Sequence, residues 1–180
     1  MTIKFLTNFA ESIAKFYIES KLVYPVLIGR DTRSSGVVIE NLLTSILSYR
    51  GINVHCAGTL PSPGLSALLK ANNFSIGVMI TASHNNHTDN GIKLFAQSGF
   101  KLDEATESKI NSYMLNSDNL TDTSDRLGEI VYLDNCFEEY FNLVSKDTIQ
   151  KSTLGKLIID CSNGALSKLS DYYAKNQDIQ

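Results

Sequence analysis

Along the chain, stretches with apolar residues three and four apart alternate with short continuous apolar runs, the pattern of helices alternating with strands. Residues 1–20, MTIKFLTNFAESIAKFYIES, carry Glu11 and Glu19 among apolar residues and predict an amphipathic helix rather than a signal peptide. PVLIGRDTRSSG then gives a short strand, Val26 to Ile28, and a polar loop. In VVIENLLTSILSYRG, Val38, Leu42 and Ile46, with Leu43 and Leu47, stand at helical spacing, and Gly51 sits where a glycine closes a helix. INVHC predicts a second strand. AGTLPSPG predicts a loop that opens the helix GLSALLKAN, with Ser62 as N-cap and Pro63 at the first helical position. A third apolar run, SIGVMIT, leads into the polar loop TASHNNHTDNGIK.

The order strand, helix, strand, helix, strand argues for βαβ units. GIKLF and FKL predict a further strand or hairpin around AQSG. DEATESKINSYML predicts a helix with an acidic first turn and with Ile110 and Met114 four apart. NLTDTSDRLG is polar and turn-rich, LDNCFEEYFNLVS predicts a helix, and QKSTLGK reads as a linker. The pattern then restarts, with KLIID as a strand and CSNGALSKLSDYYAKN as a turn and helix. A lone βα unit cannot bury both its faces, so this tail docks on the first unit or begins another. The expected fold class is α/β, a mixed, mainly parallel sheet with helices on both faces. The expected organisation is a first domain over residues 1–150 and the start of a second, incomplete domain over 151–180.

Composition narrows the partners. A chain of 180 residues, 43% hydrophobic and 19% charged, has enough apolar side chains for a core. A formal net charge of −3 gives no electrostatic reason to expect nucleic acid or an anionic membrane as partner. No apolar run approaches a membrane span. Cys56, Cys136 and Cys161 are odd in number, far apart and without zinc spacing, so a reducing cytoplasm is the expected location.

In open α/β sheets reactive groups gather at the carboxyl ends of the strands, and two polar loops stand there. In GRDTRSSG, Arg30 and Arg33 flank Asp31 just before a helix N-terminus, an arrangement suited to a phosphate or to a negatively charged neighbouring loop. The competing reading is that Asp31 pairs with Arg33 or caps the helix, and nothing binds. In TASHNNHTDNGIK, Ser83 beside His84 offers a nucleophile and an acid/base group, provided the backbone is irregular enough to let neighbours cooperate. Lys93 offers a cation for a phosphate or for proton transfer, and Asp89, Asn90 and Gly91 read as a tight turn. A serine hydrolase would show a G-x-S-x-G elbow, which is missing. His84, His87 and Asp89 are metal-ligand types without a convincing full set.

GRDTRSSG, GTLPSPG and TASHNNHTDNGIKLF, with SGFKL after them, occur in this order, and together they resemble the first domain of the α-D-phosphohexomutases. Ala82 and DNGIK point to the phosphoglucosamine mutase branch. The resemblance runs from about Val26 onward: LGEIVYLDNCFEEYF is similar to the link out of domain one, and GKLIIDCSNGA to the first strand and turn of domain two. It implies a phosphosugar substrate and a serine, Ser83, that carries a phosphoryl group to and from a bisphosphorylated sugar. It also implies His84 and Lys93 as groups for proton transfer and charge support, and Mg²⁺ bound through the phosphate on Ser83. Arg30, Asp31 and Arg33 are implied to steady the serine loop, and Asn85, Asp89 and Asn90 to support it or contact phosphate.

The sequence departs from the family in places. Asn86 stands where the family usually has proline, which removes a fixed φ from the loop. The family's opening Gly-Thr-Asp-Gly-Ile-Arg segment is not matched. TDTSDR (Thr121 to Arg126) has two aspartates at a spacing and place that do not fit the family's Asp-x-Asp-x-Asp-Arg metal loop. The expectation is the serine-bearing part of a phosphoglucosamine mutase, inactive alone, either a truncated chain or one completed by a second polypeptide. Alternatives are a fragment of a phosphomannomutase/phosphoglucomutase, a non-catalytic remnant, or an anion-binding module. An uncovered KLIID strand would also favour self-association.

Overall fold

The computed structural model describes residues 1–115, 126–145, 158–168 and 171–172. The linker QKSTLGK, and TDTSDR up to residue 125, lie outside the described residues. The elements in order are α1 (Ile3–Glu19), β1 (Val26–Arg30), α2 (Ser34–Tyr49), β2 (Val54–Thr59) and α3 (Ser62–Ala71). They continue with β3 (Ile76–Ile80), β4 (Ile92–Ala96), α4 (Glu104–Leu115), β5 (Ile130–Tyr132) and α5 (Cys136–Ser145).

The strands form one sheet in the order β4-β3-β1-β2-β5. β1 pairs in parallel with both β2 and β3, and β2 with β5, while β4 runs antiparallel to β3. The geometry follows from the connections. β3 and β4 are joined by a loop alone, which permits only the antiparallel return, whereas helical crossovers allow parallel pairing. After β1 the chain crosses to β2 on one side. After β2 it crosses back to β3 on the other side of β1, and two such crossovers of one hand put α2 and α3 on opposite faces. The sheet is therefore mixed, mainly parallel and covered by helices on both faces, as the pattern of the sequence predicts.

Alternate strand residues feed two cores. Val26, Ile28, Val54, Cys56 and Val78 face α1, α2 and α4, where Ile13, Leu43 and Leu47 are fully buried. Leu27 and Met79 face the other way, onto Leu65, Leu68 and Leu69 of α3 and Cys136 of α5. Because the side-chain period of a strand is two, one continuous apolar run such as IGVMI supplies both cores at once.

Some expectations shift in detail. The helix after β1 buries Ile39, Leu43 and Leu47 together with Glu40, Thr44 and Ser48, while Val38 is 68% exposed. The inward stripe is displaced by a residue because Glu40 is drawn in by Arg30 and Ser48 Oγ donates to the Gly128 carbonyl (2.7 Å). The helix closes as expected at Gly51, whose φ of +79° is open to glycine, with Ile52 N–H on the Leu47 carbonyl and Gly51 N–H on that of Ser48. α3 begins one residue earlier than the sequence suggests. Pro61 is the N-cap, its carbonyl accepting from Gly64 and Leu65, and Ser62 lies inside the helix without capping it. Pro63 remains in the first turn, where its missing N–H costs nothing. β5, unforeseen, adds an edge strand beside β2.

The tail differs more. Residues 158–160 of KLIID form no strand, and Ile158 is 91% exposed. Cys161–Gly164 make a tight turn closed by Gly164 N–H on the Cys161 carbonyl, with Ser162 and Asn163 both left-handed (φ +49° and +50°). Thr32 Oγ1 donates to the Asn163 carbonyl (2.9 Å), and the Tyr172 ring lies 4.3 Å from that of Phe141 on α5. The described part of the tail thus touches the first unit at two points. No helix among the described residues is long and apolar enough to cross a membrane.

Candidate active site at the carboxyl ends of β1 and β3

β1 and β3 are neighbours in register, Arg30 beside Ile80, so the loops leaving their carboxyl ends emerge side by side. This is the point where the chain's crossovers diverge, the place at which open α/β sheets bind ligands. Asp31 N–H donates to the Ile80 carbonyl (3.0 Å), and Thr81 N–H donates to the Gly91 carbonyl (2.9 Å), fixing where the second loop starts and ends. A side chain on Gly91 would meet the Thr81 carbonyl at 2.8 Å, so only glycine fits this approach.

Asp31 is the hub of the first loop. Its Oδ1 accepts the backbone N–H of Arg33 (3.0 Å), and its Oδ2 accepts Arg33 Nε (2.9 Å) and the hydroxyl of Thr81 (2.8 Å). Arg33 and Asp31 side chains are 10% and 13% exposed, a nearly dry ion pair. The far end of Arg33 then reaches into the second loop. It donates to the carbonyls of Ser83 (3.0 Å), Asn85 (3.0 Å), Asp89 (3.0 Å) and Asn86. Asp31 does pair with Arg33, and the same arginine also holds the neighbouring loop through its carbonyls.

Arg30 acts elsewhere. Its Nε donates to Glu40 Oε2 on α2 (2.9 Å) and one terminal nitrogen donates to Thr59 Oγ1 at the end of β2 (3.2 Å). It ties α2 to the sheet and reaches the loops only through the Asp31 carbonyl, at 3.4 Å.

Ser83 sits at φ +55°, a conformation rare for a residue other than glycine. Its N–H donates to Thr81 Oγ1 (3.0 Å), its carbonyl accepts from Arg33, and its Oγ accepts from Lys93 Nζ at 2.6 Å. Lys93 comes from β4, where it pairs with Met79 across the antiparallel ladder. The backbone at Ser83 is irregular, and the side chain its Oγ meets is that of Lys93. His84, exposed on the same loop, makes no hydrogen bond among the described residues. Asn85 and Asp89 contribute through their backbones, closing turns onto Ala82 (3.1 Å) and Asn86 (2.9 Å). Asn90 bridges to Ser35 Oγ on the first turn of α2 (2.9 Å). Asn86 gives Arg33 its carbonyl, a group proline also has, and its side chain accepts from Thr88 N–H (3.4 Å).

The donors present do not make a magnesium centre. Among the described residues no group of three or more His, Cys, Asp or Glu could hold a metal, and both oxygens of Asp31 are already occupied. The loop offers scattered hard oxygens, the Ser83 hydroxyl and the exposed Asp89 carboxylate among them.

Thr81 and Glu40 are the structural contributors that loop composition did not single out. A threonine two residues before the serine is a local signal for a side-chain turn. Glu40 reads as one more solvated helix residue until its burial is seen.

Comparisons with known proteins agree on the surroundings of this loop. A family model described as phosphoglucomutase/phosphomannomutase, alpha/beta/alpha domain I, matches residues 1–121. A phosphoglucosamine mutase of Francisella philomiragia is 41% identical over 147 residues, covering 80% of this chain and 33% of its own. One from Chromobacterium violaceum is 42% identical over 142 residues, covering 78% and 32%. The chain thus spans about a third of the length of these curated relatives. The crystal structure of a phosphoglucomutase/phosphomannomutase family protein from Burkholderia thailandensis superposes with a TM-score of 0.65 at 17% identity, over 82% of this chain and 32% of that one. That likeness concerns the fold.

Proposed function

The chain belongs to the phosphoglucomutase/phosphomannomutase family, and from that premise we propose that Ser83 is the phosphoryl carrier of a hexosamine phosphate mutase. The reaction is the interconversion of glucosamine 6-phosphate and glucosamine 1-phosphate. The choice of sugar rests on the phosphoglucosamine mutases among the relatives. The single observation that carries the mechanism is the 2.6 Å contact between Lys93 Nζ and Ser83 Oγ.

When phosphoserine gives up its group, a sugar hydroxyl oxygen attacks phosphorus and the serine O–P bond breaks. The Lys93 ammonium protonates the departing serine oxygen, and the proton of the attacking hydroxyl passes to His84. When the second phosphoryl group is taken back, the Ser83 hydroxyl attacks phosphorus and loses its proton to neutral Lys93, the sugar O–P bond breaks, and the departing sugar oxygen takes the proton that His84 holds. Phosphoryl transfer depends mainly on positioning and charge. A lysine cation about 4 Å from a phosphoryl charge contributes about 4 kcal/mol at an effective dielectric near 20. The loop residues supply the positioning through Arg33 and Asp31.

The cation ligands and sugar-binding groups a turnover needs are proposed to lie outside the described residues, on the same or a second polypeptide. Residues 151–180 are proposed to begin a second domain, a reading that rests on the resemblance of GKLIIDCSNGA to the first strand and turn of domain two. The test is intact-mass spectrometry of the chain after incubation with glucose 1,6-bisphosphate and Mg²⁺. One added phosphoryl group, absent in Ser83→Ala, is expected. A folded chain that gains none, or a Ser83→Ala chain that gains it equally, overturns the proposal.

A further inference from the structure

Four residues close a hydrogen-bonded ring through the two peptide groups that flank the Ser83 side chain. Thr81 Oγ1 donates to Asp31 Oδ2 (2.8 Å), and Asp31 Oδ2 also accepts Arg33 Nε (2.9 Å). Arg33 donates to the Ser83 carbonyl (3.0 Å), and Ser83 N–H returns to Thr81 Oγ1 (3.0 Å). Thr81 is 7% exposed, follows β3 directly, and has its own N–H anchored on Gly91. Its hydroxyl therefore has a fixed origin, one acceptor and one donor: removing it leaves Asp31 Oδ2 with Arg33 Nε but takes from the Ser83 N–H the hydroxyl that holds it.

What the ring does is visible at Ser83. A serine at φ +55° is in a sparsely populated conformation that persists only where its surroundings over-determine it. Thr81 holds the amide side of that residue and Arg33 holds the carbonyl side. With both peptide groups fixed, the Cα–Cβ bond has one direction, and from it Oγ reaches Lys93. Arg33 alone leaves the amide free to rotate. The threonine hydroxyl completes the restraint.

We propose that Thr81 is a positioning residue for phosphoryl transfer: its hydroxyl, acting through the Ser83 amide, sets the left-handed turn that presents Oγ to Lys93 and to the incoming phosphorus. The consequence for phosphoryl transfer rests on the proposed role of Ser83, whereas the restraint on the Ser83 amide does not. A misplacement of about 1 Å costs about 100-fold in rate, so loss of this hydroxyl is felt in the chemical step rather than in donor binding.

The experiment compares Thr81→Val, which keeps the branched shape, Thr81→Ala and Thr81→Ser in the full chain. Two readouts are taken, the rate of Ser83 phosphorylation by glucose 1,6-bisphosphate with Mg²⁺ and the hydrogen exchange of the Ser83 amide. Thermal melting confirms which variants fold. Expected are a maximal loading rate about 100-fold lower in Thr81→Val and Thr81→Ala at an unchanged half-saturating donor concentration, and recovery to within about threefold in Thr81→Ser. The Ser83 amide exchanges slowly in the native chain and Thr81→Ser, and fast in the other two. A folded Thr81→Val or Thr81→Ala that loads at the native rate overturns the inference, and so does a Thr81→Ser as slow as Thr81→Val. A native chain that never loads defeats the phosphoryl-carrier reading instead. The amide then decides this one: slow exchange that depends on the hydroxyl sustains the restraint, and equal exchange in all four chains removes it.

Discussion

Arg33 directs its guanidinium at the carboxylate of Asp31 and at the carbonyls of Ser83, Asn85, Asn86 and Asp89, so it holds the loop. A lysine keeps the charge but has no planar fork with which to reach several carbonyls at fixed angles. Arg33→Lys is therefore expected to cost about 2–3 kcal/mol, the worth of one charge-assisted hydrogen bond. It should also make the 83–90 segment the first site of limited proteolysis. Denaturant titration and peptide mapping check this, and an unchanged midpoint with an uncut loop would refute it. At this scale the sequence was only half legible. The serine, the lysine and the Asp31–Arg33 pairing could be read from residue types and spacing. That Arg33 reaches the serine loop while Arg30 turns to Glu40 could not, because both arginines flank the same aspartate. What separates them is the end of β1: Arg30 is still a strand residue facing α2, and Arg33 is already in the loop.

At the scale of elements, α2 is held to the sheet by more than its apolar stripe. Glu40 is 5% exposed, accepts from Arg30 through one oxygen, and leaves Oε1 without a partner among the described residues. Breaking a buried pair strands the surviving charge. Because Arg30 is about a fifth exposed, Glu40→Ala is expected to cost about 2–3 kcal/mol rather than more. The double variant Arg30→Ala/Glu40→Ala should be more stable than the sum of the single losses predicts, by about 1–2 kcal/mol. Equilibrium unfolding of the four chains measures the cycle, and strict additivity would count against the pair. The same buried glutamate explains why helical spacing placed the inward face of α2 one residue off: hydrophobicity alone does not show an acid being drawn inside. β5 escaped notice for the opposite reason. It has three residues in the short run IVYL, Ile130 and Tyr132 are exposed, and so brief a run does not stand out from the polar residues around it until it pairs with β2.

For the molecule as a whole, two cores share one sheet, and each contains a thiol. Cys56 lies in the core under α1 and α2, and Cys136 in the core under α3 and α5. Burial raises both thiols, and with Glu139 nearby Cys136 is pushed up to about 11. A raised pKa means less thiolate at a given pH, so both should resist alkylation near pH 8 while the half-exposed Cys161 reacts. Because β1 and β3 contribute side chains to both cores, Cys56 and Cys136 should become reactive together as denaturant is added. Alkylation read by peptide mass would show this, and one thiol opening well before the other would refute it. The alternation of short apolar runs with helical segments made the two-sided sheet readable in advance. Which loops would meet was not, since strand order depends on where the crossovers return. The contacts of the serine also differ in how far they reach along the chain. Lys93 is 10 residues from Ser83, whereas Arg33 is 50 away. Closing the longer segment costs about 1.4 kcal/mol more chain entropy, from (3/2)RT ln 5. The serine–lysine contact is thus available to a hairpin only partly assembled, whereas the constraint that aims the serine arrives when the parallel strands have joined. A nascent chain would hold its nucleophile beside a cation before it could point it at anything.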